Sequence, residues 1–157
     1  MTTSISLLDM PDVAMDRILE NVDFEEIQIL RKWKGLKEGY FSRRIEAISL
    51  GIFAHFCSGF VQVKSIDTNG MKVLKENFQS NANFHNFCID YLEFDDIGNF
   101  LDFLGPAHEF FGEKRWFYKM ENPEKCLSIF FNQLFVRQFI FAQIDKEQVV
   151  IGTIILE

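Results

Sequence analysis

The chain has 157 residues, 48% of them hydrophobic and 15% aromatic, with 19 Phe and a formal net charge of −7 at pH 7. That length fits one domain, or a short module joined to one modest domain. The aromatic content speaks against a disordered chain, and the acidic balance speaks against nucleic acid and anionic membrane surfaces as partners.

In chain order, Asp9-Met10-Pro11 opens a first expected helix, with Pro tolerated in the first turn because its missing N–H costs nothing there. Met15, Ile18, Leu19 and Val22 form its apolar stripe. Asp23 and Glu26 resemble a capping box for a second helix with Phe24, Ile27 and Leu30 on one side and a basic C-terminal end. Phe41, Ile45, Ile48 and Ile52 hold helical spacing and suggest a third helix over about 42–56. Beyond Gly59 the character changes. Val61, Val63 and Ser65 alternate with polar residues as in a strand, and Asp67–Gly70 is turn chemistry. Met71 to Phe78 reads as helix, Phe84 to Glu93 as strand, and Asp95 to Leu104 as helix, stopped by Gly105-Pro106. This strand–helix pair, seen twice, has the spacing of a leucine-rich-like repeat. From Glu113 onward the pattern is strand-like: Arg115–Met120, Leu127–Phe131, Phe135–Ile144 and Val149–Leu156, joined by short turns that suggest an antiparallel meander.

The first residues, Met1 to Ser4, carry no basic group and lead into no long apolar run, so no signal peptide is expected. The runs near Ile52–Phe56 and Val149–Leu156 are too short to span a bilayer. Cys57, Cys88 and Cys126 are odd in number, far apart and without a CxxC, which suggests reduced thiols in the cytoplasm or nucleus.

Catalysis requires convergent groups, and few candidates present themselves. His55, His85 and His108 are isolated, and none belongs to an HExxH or sits at metal-ligand spacing from a Cys. A Cys–His nucleophile pair formed in space stays open, without a local signature. Asp95 and Asp96 are adjacent, so on a helix they diverge by about 100° and suit capping better than shared acid–base work. Trp116-Phe117-Tyr118, flanked by Lys114, Arg115 and Lys119, has the look of an aromatic-basic nucleic-acid surface, but the net charge favours a half-buried strand. We therefore expect no enzyme, no metal and no cofactor.

Leu8-Asp9-Met10-Pro11, Ile18-Leu19, Val22-Asp23-Phe24 and Ile27 to Lys32 together resemble the F-box across about residues 6–34. Val63 to Ile66, Val73 to Phe78, Phe100 to Ala107, Trp116 to Met120 and Gly152 to Glu157 resemble the closing part of the FTH domain, which accompanies the F-box in a large nematode family. The resemblance implies an α+β protein: an F-box-like three-helix module over residues 5–42, a connecting helix over 43–60, and strand–helix repeats with a C-terminal antiparallel β meander in a shortened FTH-like domain over 61–157. It also implies a substrate-recognition adaptor of a Skp–cullin–F-box ubiquitin ligase. Leu8, Pro11, Ile18, Leu19, Val22, Ile27 and Leu30 would face the Skp-type adaptor, and through it a cullin, while the C-terminal domain would hold an unknown target protein. The chain departs from the family at Trp33-Lys34, where a charge follows the apolar position, and in lacking the first part of the FTH domain, with Phe41–Phe60 standing in the gap. A truncated interaction protein without ligase function, or an inert family remnant, is the alternative. A small enzyme or ligand carrier with a Phe-lined cavity is a third reading.

Overall fold

The computed structural model describes residues 38–45, 50–134 and 136–157. Strand β1 (Glu38–Ile45) is followed by a 3-10 turn (Leu50–Phe53) and strand β2 (Ser58–Ile66), to which β1 pairs in parallel. Helix α1 (Thr68–Ser80) then crosses to β3 (Asn86–Phe94), again parallel to β2. Asp67 caps α1 by accepting from the Gly70 N–H at 2.5 Å, and its other oxygen takes the Leu50 N–H at 3.2 Å, tying the 3-10 turn to the helix start. Helix α2 (Ile97–Leu104) is capped by Asp96, which accepts from the Asn99 N–H at 3.4 Å.

The short strand β4 (His108–Phe110) forms a hairpin with β5 (Glu113–Lys119). Next come β6 (Lys125–Asn132) and β7 (Gln138–Asp145), both antiparallel to their neighbours, and β8 (Ile155–Leu156) beside β5. The order across the mixed sheet is β1-β2-β3-β7-β6-β5-β4, with β8 sharing the outer side of β5. Alternation supplies the core. Val61, Val63, Phe87, Ile89, Phe139, Phe141, Leu127, Ile129, Phe131, Trp116 and Tyr118 all turn to one side and bury against Leu50, Phe53, Met71, Leu74, Phe78, Phe100 and Leu104. Phe78 of α1 reaches Phe87 and Phe141 with ring centroids 5.4 Å apart in both cases, and Phe100 of α2 meets Phe139 at 5.5 Å. Both helices therefore pack on the same face.

Several expectations are corrected. Instead of an α+β chain with a three-helix front and repeats, the described residues form an eight-stranded mixed sheet with two α-helices. The expected helix over 42–56 is replaced by β1 and the 3-10 turn. Parallel pairing from Glu38 opposite Ser58 to Ile45 opposite Val63 outweighs the helical spacing of Phe41 and Ile45, residue types that suit either state. Gly59 permits this approach, since a Cβ there would lie 2.6 Å from the Gly39 carbonyl oxygen. The two strand–helix units do not stack as repeats either. Of the two units, only the first leads into a parallel neighbour, as β2-α1-β3. After α2, about 12 Å long, the chain emerges at the far edge of the sheet, and β7 occupies the place beside β3.

The last expected strand, Val149–Leu156, shrinks to Ile155–Leu156. Gly152 takes a positive φ of 87° and the Thr153 N–H donates to the Val150 carbonyl at 3.0 Å, so the segment turns before it can extend. Its remnant pairs in parallel with β5, outside the β5-β6-β7 meander. The expected F-box-like module lies almost wholly outside the described residues; its last part, from Glu38, is strand. Among the described residues no helix is long and apolar enough to cross a membrane.

Candidate functional site

The residues between the core positions point to the second face of the sheet, and strand register arranges them in rows. One row runs Phe60, Cys88, Ile140, Phe130, Arg115 and His108, from β2 to β4. The adjoining row, Gln62, Asp90, Gln138 and Asn132, is polar. Within it Gln138 Nε2 donates to Asp90 Oδ1 at 2.7 Å, and Asn132 Nδ2 donates to Glu113 Oε1 at 3.5 Å. A row that starts apolar and ends at Arg115 and His108 thus lies along a hydrogen-bonded polar border.

Where these rows reach the β4-β5-β6 corner they frame a groove of about 440 Å³, lined by His108, Phe110, Glu113, Arg115, Phe130 and Val150. Its size is that of a small-ligand or side-chain pocket. Each wall has a local cause. The link between β4 and β5 is the pair Phe111-Gly112, both at positive φ (49° and 80°), as a type I′ hairpin turn requires. That turn sets Phe110 opposite Glu113 and His108 opposite Arg115. Phe130 faces Arg115 from β6. Val150 arrives from the turn that follows the 3-10 residues Lys146–Gln148.

The groove carries one cation, Arg115, and one carboxylate, Glu113, two residues apart on β5. The Arg115 Cζ lies 5.1 Å from the centre of the Phe130 ring, a cation–π placement. Among the described residues no carboxylate stands within ion-pair distance of it, whereas neighbouring Lys114 pairs with Glu109 at 2.8 Å. Phe110 and Phe111 remain 63% and 85% exposed at the rim, and their rings meet edge to face at 4.5 Å. Leu134, from the β6-β7 link, sits close to Gly112 beside them.

The other chemistry-bearing residues do not converge. Among the described residues no group of three or more His, Cys, Asp or Glu could hold a metal ion. The three cysteines are free thiols. Burial, reinforced by the Asp90 charge and hydrogen bond, pushes Cys88 up to about 12, and burial also raises Cys126. For Cys88 and Cys126 the direction is opposite to the lowered pKa that an activated nucleophile needs. His55 is exposed and packs on Phe56 at 4.4 Å. Asp96 caps α2, as expected, and lines an open depression between the helices with Lys72, Asn99, Asp102 and Phe103. Trp116, Phe117 and Tyr118 are buried in β5, while Arg115 and Lys119 are exposed.

The sequence-derived adaptor positions Leu8, Pro11, Ile18, Leu19, Val22, Ile27 and Leu30 all lie outside the described residues. The groove itself was not foreseen. Phe111-Gly112 between alternating segments is the sequence signal that marks its hairpin, but Phe130 and Val150 are too distant in sequence to be linked to it by pattern. No protein-family model, curated protein or solved structure matches the chain.

Proposed function

We propose that this chain is a substrate-recognition adaptor of a Skp–cullin–F-box ubiquitin ligase, working in the cytoplasm or nucleus. Residues 6–34 dock on the Skp-type adaptor, with Leu8, Pro11, Ile18, Leu19, Val22, Ile27 and Leu30 as the apolar anchors. The second face of the sheet holds the target protein. The ligase chemistry belongs to other subunits, and we assign no catalytic role to any residue here. The first half of this reading is supported by the spacing of Leu8-Asp9-Met10-Pro11, Ile18-Leu19, Val22-Asp23 and Ile27–Lys32. The second half is supported by the groove at the β4-β5-β6 corner, where aromatic side chains and an Arg without a carboxylate partner among the described residues, residue types that concentrate binding energy at protein interfaces, lie side by side.

The test is binding of the purified full chain to a Skp-type adaptor, with and without a Pro11→Ala, Leu19→Ala double substitution. Wild type is expected to bind, and the double variant to lose about 2 kcal/mol or more of binding free energy, as when central anchors are truncated. A folded wild-type chain that does not bind would make the protein an interaction module outside the ligase.

A further inference from the structure

We infer that the β4-β5-β6 groove recognises an extended peptide segment in which an apolar side chain is followed two residues later by a carboxylate, so that both point to the same face. The apolar side chain packs between Phe110, Phe130 and Val150, and the carboxylate sits on the Arg115 guanidinium. The inference rests on the groove being the target-holding surface and is independent of adaptor docking.

Charge complementarity selects the occupant. Arg115 is a permanent cation beside an apolar cavity, and no described carboxylate neutralises it. A guanidinium over an aromatic ring still has N–H donors in its own plane, so the Phe130 contact and a bidentate carboxylate use different parts of the group. His108, directly across the β4-β5 pair, adds ring nitrogens on the same side. Glu113 lies two residues from Arg115 along β5, about 7 Å away, and its carboxylate can accept an amide N–H from the same segment. The groove is therefore polarised, with a cation in one row and an acceptor in the next.

Sheet geometry favours a peptide over a small acid. β4 is the last strand of the sheet order, and among the described residues no strand pairs with its outer side. An extended segment laid along that edge can take main-chain hydrogen bonds while sending alternate side chains to the groove face. The rim residues Phe110 and Phe111 supply further apolar area at the same place. The net charge of −7 opposes an acidic ligand at long range. At physiological salt that repulsion is screened beyond about 8 Å, so the groove discriminates at contact and does not steer.

The experiment is fluorescence anisotropy with fluorescein-labelled peptides in which each Leu is followed two residues later by Glu, with Ser between, so that Leu and Glu share one face when extended, together with their Gln analogues and their Lys analogues, titrated with the full chain at about 0.15 M salt. No Skp-type adaptor is present, so failure here is distinguishable from failure of adaptor docking. The Glu peptide is expected to bind about tenfold or more tightly than the Gln peptide. Arg115→Glu should lose Glu-peptide binding and gain the Lys peptide, and Arg115→Gln should abolish the preference without reversing it. Arg115 is exposed, so both variants are expected to melt with the wild type, which is to be checked alongside. Equal affinity for the Glu and Gln peptides, or unchanged Glu-peptide binding in either folded variant, would overturn the inference. So would saturable binding of octanoate with no peptide binding, which would reassign the groove to small amphipathic acids.

Discussion

The Tyr118 hydroxyl donates to the Leu104 carbonyl at 2.6 Å, closing one of the carbonyls that the C-terminal end of α2 leaves without a helical partner. One turn of strand away, Trp116 Nε1 donates to the Gly105 carbonyl at 2.9 Å. Two buried aromatic residues of β5 thus bring their polar tips to the helix end and their rings to the core. Through them α2 is fixed above the strands that carry the groove on their other side.

Tyr118→Phe should therefore destabilise the protein by about 1–3 kcal/mol, because it strands a buried acceptor while leaving the packing intact. Tyr91 is the internal control. Its hydroxyl is buried and has no hydrogen-bond partner among the described residues. Tyr91→Phe should leave stability unchanged or raise it. Urea denaturation of the two variants against wild type checks both. Similar losses in the two would show that the ring environment, not the hydroxyl bond, is what stabilises each site.

Phe111 occupies a left-handed backbone conformation, with φ at 49°, in a turn where Asn is the preferred residue. That conformation costs a bulky residue about 1 kcal/mol. Its exposed edge-to-face contact with Phe110 recovers about 0.5 kcal/mol at most in so open a place. Phe111→Asn is therefore expected to raise stability by about 0.5 kcal/mol, or roughly 1–2 °C in melting temperature for a chain of this size. The same variant should weaken Glu-peptide binding by removing part of the rim. A fall in melting temperature would mean that Phe111 is held by more than its contact with Phe110.

Stability should decline in alkali from about pH 9. Burial raises Tyr91 from 10.0 to about 12 and Cys88 from 9.0 to about 12, and it also raises Tyr118 and Cys126. Each group holds its proton more tightly when folded. Its contribution is complete below the ordinary value and is lost as the pH climbs through that value toward the folded one. Lys75, whose ammonium lies 4.0 Å over the Tyr118 ring, is lowered by burial and works in the opposite sense. The four raised groups should outweigh it. Urea midpoints that fall from pH 8 to pH 11 would agree, with a shallower fall in Tyr91→Phe, whereas a flat profile would remove burial as the cause.

Much of the local structure is legible in the sequence. The alternation of Val61 and Val63, the spacing of Met71, Leu74 and Phe78, and the Asp96 cap and Gly105 stop of α2 each report a face or an end within a few residues of themselves. Strand or helix is settled there by short-range periodicity and capping. The 38–56 region resisted this reading because Phe41, Ile45, Ile48 and Ile52 fit a helical stripe, while the partner that makes Glu38–Ile45 a strand is β2, beyond the 3-10 turn.

The sequence by itself indicated the helix or strand character of β2, α1, β3, α2, β5, β6 and β7 and the apolar stripes of β2, α1 and α2, because periodicity and capping act over a few residues. Only the tertiary structure decided that α2 carries the chain to the far edge, that β8 lies parallel to β5, and that His108, Arg115, Phe130 and Val150 meet in one groove. Those meetings depend on strand order and register, which are set by the packing of the whole sheet against its two helices. No local pattern encodes them, since each joins residues whose nearness exists only once the sheet has formed.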